Sequence, residues 1–163
     1  MSGPSAVTRT RVPKLLLIVG VVWITLQVLV PLRHWVVPGD YRWTNEGYRF
    51  AWVVLLTEKG GDVSFRVREP ATGRRWTETA QDLYTPNQWR AMTTEPELIR
   101  QAAHAVADRQ VAQGRHVEVR ADAFVALDGR PAQRLLDPRV DLAHEPWRIH
   151  QPWILPAPTA SPS

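Results

Sequence analysis

The chain has no cysteine among its 163 residues, which excludes disulfides, thiol nucleophiles and thiolate metal sites together and leaves packing as the source of stability. Lysine is nearly as scarce. Lys14 and Lys59 are the only two, and Glu58-Lys59-Gly60-Gly61-Asp62 reads as an exposed glycine turn, where desolvation cannot pull a lysine pKa down to that of a base. Between residues 15 and 155 the only serine is Ser64, mid-strand and without a Gly-x-Ser-x-Gly elbow, so a serine nucleophile is not expected. His104 and Asp108 share a helical spacing but lack a third ligand, and His144 and His150 fall in an irregular stretch, so no metal site is expected. No glycine loop opens a helix to cradle a phosphate. The formal charge of +4 is also misleading, because Arg9, Arg11 and Lys14 precede everything globular. Without them seventeen basic residues face sixteen acids, which argues against a nucleic-acid partner.

What the chain does have is one long apolar run. Leu15 to Leu32, LLLIVGVVWITLQVLVPL, holds no charge and as a helix covers about 27 Å, close to the roughly 30 Å of a bilayer's hydrocarbon core. Arg33 can snorkel outward and Trp35 can sit among headgroups, so membrane lipid is the first expected partner. A buried core helix would show a polar face, yet only Thr25 and Gln27 are polar. A cleaved signal peptide fits the basic lead, but Pro31-Leu32-Arg33-His34-Trp35 stands where small residues are wanted. The first fourteen residues carry three basic side chains and no acid, whereas Arg33 to Glu46 is balanced. The positive-inside rule therefore predicts a single-pass protein with a cytoplasmic N-terminus and an extracytoplasmic body.

Residues 1–14 thus read as a basic N-terminus, 15–32 as a transmembrane helix, 33–155 as one extracytoplasmic domain and 156–163 as a Pro/Ser/Ala tail without packing signal. Tyr48 to Thr57, β-branched and aromatic, reads as a central strand, paired across the glycine turn with the alternating Val63, Phe65 and Val67. Arg74 to Thr79 can add a third strand after Pro70-Ala71-Thr72-Gly73. Thr85-Pro86-Asn87-Gln88 and Thr94-Glu95-Pro96-Glu97 each look like a capping box with proline at the first helical position. The second opens a helix striped with Leu98, Ile99, Ala102, Ala103 and Val106 that stops at Gly114. From His116 to Leu127 the period returns to two, and Asp128-Gly129-Arg130-Pro131 turns into Ala132 to Leu136. The predicted fold is α+β: an apolar helix, then a mainly antiparallel, sandwich-like sheet with one short and one long helix.

Eight tryptophans are many for this length. Trp43, Tyr48, Phe50 and Trp52 cluster just past the apolar run, and Trp147 and Trp153 lie near the C-terminus. Such rings serve either as core and interfacial anchors or as a partner-binding surface beside the membrane.

The ordered stretches Leu32-Arg33-His34, Pro38-Gly39, WTNEGYRFAW (Trp43 to Trp52), Thr72-Gly73, RLLDPRVDL (Arg134 to Leu142), Trp147 and Trp153-Ile154-Leu155-Pro156 resemble the vitamin K-dependent gamma-carboxylase family, including its bacterial relatives called HTTM-domain proteins. The likeness runs from the apolar helix to about Pro156 and covers only the C-terminal part of that architecture. It implies that catalytic lysine and reduced vitamin K-type quinone belong to a multi-span bundle absent from this chain, whose single span matches the bundle's last helix. It further implies that Trp43, Thr44, Asn45, Tyr48 and Trp52 engage a peptide substrate, with Ala51 standing where the family has serine and Val53 to Leu56 replacing a Met- and Arg-containing run. Asp137-Pro138-Arg139-Val140-Asp141 is expected to be architectural, with Arg139 pairing internally. No catalytic residue and no cofactor site are expected in this chain. On the same likeness it is a binding module for a peptide or a separate HTTM-type subunit, one part of a split carboxylase, or a degenerate fragment.

Overall fold

The computed structural model describes residues 13–32, 39–46 and 58–157. The predicted strand from Tyr48 to Thr57 lies outside them. Helix α1 (Lys14–Leu32) is long and apolar enough to cross a membrane, and apart from Pro31 its residues are not buried as those of a core helix would be. Its one hydroxyl, on Thr25, donates to the Val21 carbonyl at 2.8 Å, which satisfies that polar group within the helix.

The body is built on an antiparallel sheet in the order β2-β1-β3-β4, where β1 is Lys59–Arg68, β2 Arg75–Glu78, β3 Glu118–Leu127 and β4 Gln133–Arg134. Strict alternation decides which face is buried. Val63, Phe65 and Val67 of β1, with Val119, Ala121, Ala123 and Val125 of β3, point to the core. Helix α4 (Pro96–Val111) covers that face with Ile99, Ala102, Ala103 and Val106, so among the described residues the second layer is helical and not another sheet. Asp128 and Gly129 both hold positive φ, 52° and 71°, the twist that a tight reversal after β3 requires. Beyond β4 the RLLDPRVDL stretch is sewn to the sheet: Leu142 N–H donates to the Val119 carbonyl, and Asp141 Oδ1 accepts from Val119 N–H, both at 2.8 Å. Arg139 does pair within its own motif, through a bidentate contact with Asp137 at 3.0 and 3.1 Å.

The two helix starts differ. Thr85 and Gln88 form the expected box at the head of α3 (Pro86–Met92). At α4 the N-cap is Glu95, whose side chain makes no capping bond, and Thr93 and Thr94 turn their hydroxyls back onto the Arg90 and Ala91 carbonyls in the last turn of α3.

The largest departure is at Glu58 to Asp62, which is no turn. Lys59, Gly60 and Gly61 are strand residues paired with Leu127, Ala126 and Val125. Glycine here permits close approach: a Cβ on Gly61 would stand 2.4 Å from the Thr93 carbonyl oxygen, whereas one on Gly60 meets nothing within 4 Å. Gly61→Ala is therefore expected to destabilise the domain by about 1–3 kcal/mol through overpacking. Gly60→Ala should leave the melting temperature unchanged or slightly raised, and thermal unfolding of the two variants checks the contrast.

Candidate functional site

Seven residues past the end of α1, Gly39 takes a positive φ of 103° and Asp40 starts a single helical turn, α2 (Tyr41–Thr44). Asp40 caps it twice over. Its carboxylate accepts from Arg42 N–H at 2.9 Å, and its carbonyl accepts from the N–H groups of Trp43 and Thr44. Asn45 ends the turn in the left-handed region, φ 58°, a conformation asparagine tolerates better than most residues. Its N–H donates to the Tyr41 carbonyl at 3.0 Å.

Three separate parts of the body hold this turn. Trp43 is 1% exposed, and its indole N–H donates to the Leu155 carbonyl at 2.8 Å. The Glu46 carboxylate accepts from Gln151 N–H at 2.5 Å and contacts His150 Nδ1 at 2.9 Å. The third hold is Lys59, whose ammonium donates to the Trp43 carbonyl and to Asn45 Oδ1, both at 2.8 Å, and to the Thr94 carbonyl at 3.3 Å. Three donors meet three neutral oxygens, and no carboxylate is among them.

That environment sets the lysine's chemistry. Burial lowers its pKa from 10.5 to about 8, with Glu95 and Asp40 pulling weakly the other way. The expectation of a solvated turn lysine with an unaltered pKa is thus corrected. The error was in the backbone: a Gly-Gly pair that reads as a turn instead lets β1 run against the α3–α4 connection, which carries Lys59 inward. The signal available in sequence was glycine inside a possible strand, which marks close backbone approach as often as reversal.

The sequence-predicted residues are distributed as follows. Trp43 and Thr44 are buried and Asn45 half-buried, so what the turn offers Lys59 is a main-chain carbonyl and an amide oxygen, with the Trp43 ring committed to the core. Thr44 Oγ1 donates to the Asp40 carbonyl at 3.2 Å and accepts from Glu46 N–H at 3.2 Å. Tyr48 and Trp52 lie outside the described residues. Trp153 is buried at 2% whereas Trp147 is 65% exposed, a split that sequence alone does not make. Among the described residues no three of His, Asp and Glu converge on a metal-sized site.

A family model described as the vitamin K-dependent gamma-carboxylase lumenal domain matches residues 12–160, which take in both the α2 turn and the RLLDPRVDL stretch. The chain belongs to this family. No solved structure matches it. In this lumenal-domain chain the WTN segment at Trp43 to Asn45 and the WIL segment at Trp153 to Leu155 meet directly, through the indole bond from Trp43 to the Leu155 carbonyl. Two stretches that are about 110 residues apart thus form one junction. Leu155 N–H in turn donates to the Leu135 carbonyl at 2.9 Å, so the RLLDPRVDL stretch is part of it.

Proposed function

We propose that the chain is a membrane-anchored lumenal-domain module whose body lies on the extracytoplasmic side, and that it binds a peptide or a multi-span HTTM-type subunit without carboxylating by itself. The observation that supports it best is the three-way fixing of residues 40–46 by Lys59, Trp43 and Glu46. The backbone entering the segment that ends at Trp52 therefore starts from a rigid base, which lowers the ordering cost of binding there. Membership of the family supports the side of the membrane, as does the basic, acid-free run before α1. The quinone belongs, in this reading, to the multi-span partner. Lys59 has each of its three N–H groups on an oxygen of its own chain, which fits a structural pin better than a free base.

The test is co-purification of the full chain in detergent with a multi-span subunit encoded beside it. Tyr48→Ala and Trp52→Ala should reduce recovery of that subunit at least tenfold with the melting temperature held. Unchanged recovery in both variants overturns the docking surface. Incorporation of carbon dioxide into a glutamyl peptide by the chain alone would refute the non-catalytic assignment.

A further inference from the structure

The face of the sheet turned away from α4 is charged, and one sign dominates it. At the end of the sheet nearest β2 its outward positions fall into two rows across the strands: Arg75, Arg68 and Glu118 in one, and Thr77, Arg66 and Arg120 in the next. In these rows Arg68 stands directly opposite Arg75, and Arg66 directly opposite Arg120. Like charges facing each other across strands are destabilising, so this face carries a cost that the fold does not need.

The carboxylates present do not neutralise it. Glu118 serves both Arg68, at 3.3 Å, and Arg120, at 2.9 Å. Asp122 likewise serves Arg66, at 2.6 Å, and Arg134. Arg75 is exposed and makes no ion pair among the described residues. Four guanidiniums thus share two carboxylates, and Arg75 has neither. Donors are in excess as well, since the Nε–H groups of Arg68 and Arg120 are buried without an acceptor among the described residues. These six residues, Arg66, Arg68, Arg75, Thr77, Glu118 and Arg120, line a concavity of about 340 Å³.

We propose that this concavity binds an acidic segment of a protein partner in extended conformation. Spacing is what favours a peptide. Arg66 and Arg68 are two residues apart on one strand, about 6.6 Å, the interval between same-face side chains of any extended chain, and neighbouring strands add steps of roughly 4.8 Å. Carboxylates at alternate positions of a bound strand therefore meet guanidiniums in register. Arginine suits them because its planar fork takes a carboxylate through two parallel N–H bonds, which an ammonium cannot do. Arginine supplies eighteen of the twenty basic residues in the chain. An anionic lipid surface fits less well, since mobile headgroups have no fixed spacing that matches this alternation. The site is separate from the α2 junction, and neither depends on the other.

The full chain in detergent, titrated into a fluorescent (Glu-Val)₅ peptide, should raise its anisotropy, and a (Gln-Val)₅ peptide should not. Binding should weaken steeply with added salt. Arg75→Glu, which removes no ion pair, should weaken it at least tenfold with the melting temperature unchanged. Arg130→Glu makes the same change of net charge on the exposed β3–β4 turn and should weaken it less than twofold. Equal losses in the two variants would mean that net charge and not this face is read, and would overturn the proposal. So would equal binding of the glutamine peptide, or binding to phosphatidylserine vesicles that the acidic peptide fails to displace.

Discussion

Trp43→Ala is expected to cost about 3–5 kcal/mol of folding free energy, the range for emptying a buried aromatic site. The ring is 1% exposed, so its removal leaves a cavity, and the Leu155 carbonyl loses the donor that reaches it at 2.8 Å. Against a typical total of about 5–15 kcal/mol, that loss is enough to leave the domain partly unfolded at 37 °C. Trp43→Phe refills most of the volume but not the hydrogen bond and should fall about midway. Trp147→Ala provides the contrast: that ring is 65% exposed, and its removal should lie within about 0.5 kcal/mol of wild type. Urea unfolding of the three variants measures the series. The outcome matters for function, because a loss of partner binding in Trp43→Ala would then report unfolding and not a lost contact. A cost below about 1 kcal/mol would mean that Trp43 is not the core residue that its burial indicates.

Lys59 offers the second large effect, and its sign is opposite to the common case. Its pKa in the folded protein is about 8, below the ordinary 10.5, so the unfolded chain holds the proton more tightly. Between pH 8 and 10.5 the unfolded state binds more protons, and stability therefore rises with pH through that window. Below pH 8 both states are protonated and this contribution is flat. The gain is at most about 3 kcal/mol, less whatever water reaching the half-buried amine screens. Lys59→Met abolishes the slope. It also strands the carbonyls of Trp43 and Thr94 and the amide oxygen of Asn45, with an expected net loss of about 2–4 kcal/mol at pH 7. Denaturant midpoints of wild type and variant from pH 7 to 10.5 check both claims. The scarcity of lysine helps here, because a side-chain NMR titration carries two lysine signals, from Lys14 and Lys59. One of them should have a midpoint near 8.

Where one physical rule acted alone, the chain was readable. The alternation from Val117 to Leu127 yields β3, the Thr85–Gln88 box yields the start of α3, and the stripe from Ile99 to Val106 yields the buried face of α4. Reading failed where two rules gave one pattern. A Gly-Gly pair signals both a turn and a close approach, and only the carbonyl of Thr93, over thirty residues away in sequence, decides between them at Gly61. Thr94 looks like an N-cap, but its hydroxyl is turned onto the Ala91 carbonyl of the preceding helix. For the site, the sequence points to the stretch that begins at Trp43 and assigns that residue two possible roles. Which part of that residue does what, with the ring in the core and the carbonyl on Lys59, depends on contacts with Leu155 and β1 that no local pattern encodes. The burial of Lys59 is likewise tertiary, made by contacts with Trp43 and Thr94.

The fixed turn at residues 40–46 also sets a leash. From Leu32, where α1 ends, to Gly39 there are seven Cα steps, which at 3.80 Å each span at most about 27 Å whatever their path. With α1 in a bilayer, the point where the body is gripped cannot drift farther than that from the lipid. A ligand held in the same membrane is then met at the high local concentration of a short tether, and one free in bulk is not. Proximity, more than contact strength, would select what this domain engages.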